Sequence, residues 1–189
     1  MTSGRDRTRR PLRVRAAAAA VLAVLTRAGC GTAGSGAPVA PSPMSVSSEA
    51  FVSGMLAQRY TCHGQGAKMN PPLNWSGAPP GTKSLALIVD DSSAPITPTI
   101  YWLVFDINAG STDIQEGSLP TGARQALNSA GTAAYDPPCP QGSPHSYRFT
   151  VYALNTILKQ ANGAPLQDVW TAIAAATIGR GRIVVTGNP

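Results

Sequence analysis

The 189-residue chain holds two histidines, and each lies near a cysteine: His63 directly follows Cys62, and His145 comes six residues after Cys139. A cysteine nucleophile needs its base within hydrogen-bond reach. Neighbours in an extended chain point to opposite sides, so Cys62 and His63 are poorly disposed for such a pair. A Cys2His2 zinc set would use all four residues. With one pair adjacent and the other separated by five residues, the spacing fits no compact zinc knuckle, and no metal is expected. A Ser-His-Asp arrangement would have to rest on His63 or His145. The chain has no GxSxG elbow, Walker loop, GxGxxG or HExxH, and no activated nucleophile is evident. Binding is therefore expected rather than catalysis, and a small hydrolase using His145 and Asp91 is the lesser reading.

His145 and Tyr147 close the stretch "AYDPPCPQGSPHSYRF", residues 134–149, which carries Pro137, Pro138, Pro140 and Pro144. Prolines fix the backbone at low entropic cost, so this loop can hold the two side chains in place. "VDDSSAP", residues 89–95, sets Asp90 and Asp91 at the end of an apolar run. Asp90 reads as a solvated strand exit.

The elements that must position these residues are mostly strands. "LALIVD" (85–90) and "IYWLVFDI" (100–107) are short, branched apolar runs between polar clusters, which predicts buried strands. "YRFTVYAL" (147–154) alternates between two faces and predicts a third. "RIVVTG" near the end is a short fourth. "PLQDVWTAIAAATIG" places Leu166, Val169, Trp170, Ile173 and Thr177 at helical spacing. Pro165 suits its first turn and Gly179 its exit. Helices do not alternate with strands, so the expected fold is mainly β, antiparallel, with one or two helices near the C-terminus.

Charge and composition divide the chain into three parts. The net charge of +6 comes from the first 30 residues, with seven arginines against Asp6. From residue 31 onward eight basic residues balance eight acidic ones, which leaves no basic cluster for nucleic acid. Residues 1–30 read as a signal: a basic start, the short apolar run Ala16–Leu25, then "RAGCG", a lipoprotein box with Cys30 as the lipidated residue. The apolar run is about half of the roughly 20 residues a membrane span needs. Arg27, three residues before Cys30, departs from the usual aliphatic residue, and without lipidation the protein would be secreted. Residues 31–45 are rich in Gly, Ala, Ser and Pro and read as a tether, and residues 46–189 as one domain. The expected location is the cell envelope, with a lipid anchor holding the protein to the membrane. Export uses up or removes Cys30 and leaves Cys62 and Cys139 as an even pair in an oxidising compartment, which predicts a disulfide between them.

"YTCHGQGAKMNPPLNWSGAPPGTKSLALIVDDSSAP", "YWLVFDI" and "YDPPCPQGSPHSYRFTVYAL" together resemble the phosphatidylethanolamine-binding protein family, in its bacterial Raf-kinase-inhibitor-like branch. The resemblance implies a β-sandwich with a small surface pocket for an anion, phosphate or a phospholipid head group, and no cofactor. Carried over by position, it makes Asp91 the first acid of the acidic loop, Pro138 the proline lining the pocket, and His145 and Tyr147 the residues of the last block. Ser93 stands at the place of a second acid, and Tyr101 at the place of a second histidine. A tyrosine can donate a hydrogen bond but cannot become cationic near neutral pH, so weak anion binding is expected. Family members also regulate kinases or proteases by binding them, which makes an envelope protease or kinase inhibitor, acting on a protein partner through surface loops, the alternative.

Overall fold

The computed structural model describes residues 40–64, 68–93 and 97–189. The signal read over residues 1–30, Cys30 and most of the tether lie outside the described residues. The run LALIVD belongs to β4 (Ser84–Asp91), in which every residue is buried. Leu85, Leu87 and Val89 enter one apolar cluster, while Ala86 and Ile88 enter another. A strand covered on both faces needs a continuous apolar run rather than an alternating one. Fully burying a Leu, Ile or Val contributes about 1.5–3 kcal/mol, so β4 is the spine of the fold.

β4 lies within a six-stranded sheet. Its other members are β1 (Ser42–Pro43), β5 (Thr99–Asn108), β7 (Arg124–Gln125), β8 (His145–Leu154) and β9 (Thr177–Gly187), in the order β1-β9-β8-β4-β5-β7. A smaller sheet holds β2 (Ser45–Ser47), β3 (Leu73–Ser76) and β6 (Asp113–Ile114), in the order β2-β3-β6. Among the described residues the strand pairs are antiparallel except β1 with β9. Leu73, Trp75 and Ile114 of the small sheet pack with Leu85, Leu87, Val89, Trp102, Phe149 and Val151 of the large one. The mainly β sandwich expected from the sequence is present. Because Ser42–Pro43 joins the large sheet and Met44 is buried, the structured chain begins ahead of residue 46.

The opposite face of the large sheet carries the helix α1 (Leu166–Ala176), whose Val169, Ile173 and Ala176 cover Ile88, Leu103, Phe105 and Leu154. The helix stops before the expected Gly179. Thr177 already has extended backbone, and its hydroxyl donates to the carbonyl of Ile173 at 2.7 Å. Gly179 instead lies within β9, where a Cβ would stand 2.7 Å from Cδ of Pro79. That glycine serves a close approach, not a helix exit. The predicted short last strand is thus eleven residues long.

β5 and β8 flank β4 in antiparallel register. The C-terminal end of β4 therefore meets the starts of both neighbours, with Asp91 paired to Tyr147 on one side and to Thr99 on the other. The register between β4 and β5 shifts between Val89, opposite Trp102, and Asp90, opposite Ile100. Tyr101 is the extra residue of this bulge. Bulges re-aim side chains, and here Tyr101 and Trp102, although consecutive, both pack on the cluster between the sheets.

Candidate functional site

Asp91 and His145 meet where β4 ends and β8 begins. His145 Nδ1 lies 2.7 Å from Asp91 Oδ2. The carboxylate is almost fully buried, while about a third of the imidazole is exposed. The other carboxylate oxygen accepts the backbone N–H of Ser93 at 2.7 Å. Both oxygens of Asp91 are therefore engaged, one by the loop and one by the histidine. Asp91 holds the proton of His145 on Nδ1 and leaves Nε2 for an outside group. On protonation Nε2 becomes a donor for an anion, and the imidazolium charge is balanced from behind by Asp91.

Tyr147 stacks beside His145, with ring centroids 6.2 Å apart, and Tyr101 meets Tyr147 edge-on at 5.7 Å. Tyr147 is wholly buried, and its hydroxyl has no hydrogen-bond partner among the described residues. Burial raises its pKa, with the neighbouring Tyr101 and Asp91 adding to the effect. Tyr101 is half-buried, and its pKa is likewise raised by burial, then by Asp91 and Asp136. Both phenols stay protonated and able to donate. The ring of Tyr147 fits only because Gly187 has no side chain across from it.

The remaining predicted residues take supporting places. The Ser93 hydroxyl accepts the backbone N–H of Ser146 at 2.8 Å, while Ser92 donates to the carbonyl of Ser146 at 2.9 Å through its N–H and hydroxyl alike. Ser93 thus ties the β4 exit to β8. Pro138 is buried, and its carbonyl accepts the N–H of Cys62 at 2.9 Å. It anchors the proline-rich loop to the residue 61–63 turn. Asp90 is not solvated as expected: it is 3% exposed and paired with Arg148, whose Nε donates to Asp90 Oδ2 at 2.8 Å.

The pair Cys62–Cys139 is disulfide-bonded, with Cα atoms 5.1 Å apart, as the sequence predicted. The local geometry at His63 departs from expectation. Residues 61–64 form a turn, not extended chain, so a donor atom of His63 lies within 4.8 Å of both sulfurs.

Sequence reasoning missed Gly187, which no motif marks. It also missed Tyr135, whose buried hydroxyl donates to the carbonyl of Tyr60 at 2.9 Å and whose ring meets Trp102 edge-on. Five recesses of the described surface lie away from this group. One of them, about 600 Å³, is lined by Asn108, Asp113, Gln115 and Thr121 among others. The predicted residues converge as a cluster at the sheet end, where the sequence had placed a cavity.

A family model described as Phosphatidylethanolamine-binding protein matches residues 46–188. A "UPF0098 protein" of Methanothermobacter thermautotrophicus is 40% identical over 136 residues, covering 69% of this chain and 89% of that protein. A Mycobacterium tuberculosis H37Rv protein named "Putative lipoprotein LppC" is 37% identical over 150 residues, covering 78% of this chain and 73% of that one. Among solved structures, E. coli YbcL, described as "a new member of the mammalian PEBP family", superposes with a TM-score of 0.69 at 30% identity, over 77% of this chain and 98% of that one. With the sandwich and the matched span agreeing, the chain belongs to the phosphatidylethanolamine-binding protein family.

Proposed function

We propose that this is an exported, lipid-anchored binding protein that holds a small anion, phosphate or a phosphorylated head group, at the end of β4 and β8. The observation that carries the reading is the contact between the buried Asp91 and the partly exposed His145. A buried carboxylate holds the accessible imidazole from behind and leaves Nε2 facing outward, and a protonated ring there would offer an anion a charge-assisted hydrogen bond. Tyr101, half-exposed and aimed by its bulge, is the second donor. Tyr147 is the wall that supports both rings.

Binding is favoured over turnover because neither Ser92 nor Ser93 is hydrogen-bonded to His145; the Ser92 hydroxyl donates to the carbonyl of Ser146, and the Ser93 hydroxyl accepts the N–H of Ser146. Lipid anchoring is supported by the order of basic, apolar and small residues before Cys30. The name of the mycobacterial relative agrees with it.

Calorimetry with inorganic phosphate and with phosphoethanolamine tests the site, in the wild type and in His145→Ala at one pH. Binding is expected in the wild type and is expected to be markedly weaker in His145→Ala. Tighter binding of phosphoethanolamine than phosphate identifies a head-group site. Equal affinity in the two proteins removes His145 from the site.

A further inference from the structure

The turn at residues 61–64 and the proline-rich loop bring together three ligand-type side chains that the anion site does not use. Cys62, His63 and Cys139 are all exposed, and their donor atoms lie within 4.8 Å of one another. We propose that, when the Cys62–Cys139 disulfide is open, these three residues form a zinc site with water in the fourth position.

The donor set argues for this metal. Two thiolates and one imidazole form a borderline-soft set, and Zn²⁺ takes Cys and His in tetrahedral sites with Zn–S distances of about 2.3 Å. Two thiolates on one tetrahedral zinc stand roughly 3.7 Å apart. Cα atoms 5.1 Å apart permit that separation by rotation of the cysteine side chains alone. Exposure leaves room for the fourth ligand. Gln141 Nε2 already donates to Cys139 Sγ at 3.3 Å. Such an outer hydrogen bond orients a metal-bound thiolate.

The two loops do not depend on the disulfide alone to stay together. The N–H of Cys62 donates to the carbonyl of Pro138 at 2.9 Å. The Thr61 hydroxyl donates to the carbonyl of Gln58 at 2.8 Å and accepts the N–H of His63 at 3.2 Å, which fixes the turn. The prolines at 137, 138 and 140 stiffen the other side.

The chemistry balances in two steps. A dithiol reductant transfers two electrons and two protons to the disulfide, giving two thiols and its own cyclic disulfide. The same two thiols exist in the newly made chain before oxidation. Zinc then binds both as thiolates and releases two protons. Metal and disulfide are therefore mutually exclusive occupants of one position.

The experiment uses the folded chain, reduced and freed of reductant under nitrogen, with Co²⁺ as the spectroscopic probe and Zn²⁺ as its competitor. One Co²⁺ per chain is expected, with thiolate-to-metal charge-transfer absorption and the intense visible bands of a tetrahedral site, both erased by Zn²⁺. The oxidised chain and the Cys62→Ser, Cys139→Ser double variant are expected to show no charge transfer. His63→Ala is expected to weaken binding by at least about tenfold, the lower end of what losing even an outer partner costs a metal site. Unchanged affinity in His63→Ala removes the imidazole and overturns the site. Equal binding by the oxidised chain shows adventitious metal and overturns it as well. A reduced chain or a double variant without native near-ultraviolet circular dichroism also overturns it, because the two loops would then not be held together.

Discussion

Gly187 and Tyr147 share a space that admits only one side chain. A Cβ at position 187 would stand 2.6 Å from Cε2 of the tyrosine ring. The ring is fully buried, with His145 stacked on one side and Tyr101 against it edge-on. Overpacking of this kind costs about 1–3 kcal/mol. Gly187→Ala is expected to lower the melting temperature by about 2–4 °C per kcal/mol and to displace the His145 ring, so that phosphate binding weakens with it. A variant that melts and binds like the wild type shows that the ring has slack and defeats this account of the glycine.

Tyr147→Phe is expected to stabilise the free protein. The hydroxyl is buried and has no partner among the described residues, and leaving a buried donor unsatisfied costs about 1–3 kcal/mol. Removing it keeps the ring packing and recovers about 1 kcal/mol of that cost. Urea unfolding of the two proteins measures the difference. A destabilised variant means that the hydroxyl has a partner and that the cost was assigned wrongly.

Alkaline pH is expected to unfold the protein through its buried phenols. Burial raises the pKa values of Tyr101, Tyr135 and Tyr147, so above pH about 10 the unfolded chain loses these protons first. The folded state then binds more protons than the unfolded one, and stability falls as pH rises. Below pH about 10 both states keep the protons and the contribution is whole. Phenolate absorbance, followed in native and denatured protein from pH about 9 to about 12, checks this. Native and denatured titrations that coincide would falsify it.

Cys30 is expected to be the first residue of the mature protein and to carry lipid, since the segment before it has the order of a lipoprotein signal. Mass spectrometry of the protein recovered from the envelope reads this directly. An unmodified peptide running from Arg27 to Thr32 excludes the anchor, with the charge of Arg27 as its cause.

The parts of the fold legible in the sequence are those where one local pattern decides. LALIVD is buried on both faces, so its apolar run is unbroken; YRFTVYAL separates two environments, so it alternates. β9 was legible only at its end, because Gly179, Gly181, Arg180 and Arg182 dilute its apolar signal. The small sheet escaped because β2, β3 and β6 run to four residues at most. Periodicity also cannot show which strands pair, so the meeting of Asp91 with His145 came only through the family resemblance. The bulge that aims Tyr101 left no local mark at all. It depends on the register between β4 and β5, which is set by the whole pair rather than by any residue in it. Ser93, at the place of a second acid, also ties the β4 exit to β8, because a hydroxyl at a strand end finds the neighbouring N–H.

The pairing of β4 sets a sequence of events for the folding chain. Its partner β5 begins eight residues past Asp91, but β8 brings His145 only 54 residues past Asp91. Contacts that close long loops form slowly, because the entropy of closure opposes them until the pairing is nearly complete. The proposed anion site takes Asp91 from one side and His145 with Tyr147 from the other, so it is complete only when β4 and β8 have paired. A ligand that binds only the completed sheet then acts as a latch, adding RT ln(1 + [L]/Kd) to the native state. The order in which strands arrive thus places the assembly of the proposed site after the sheet has closed.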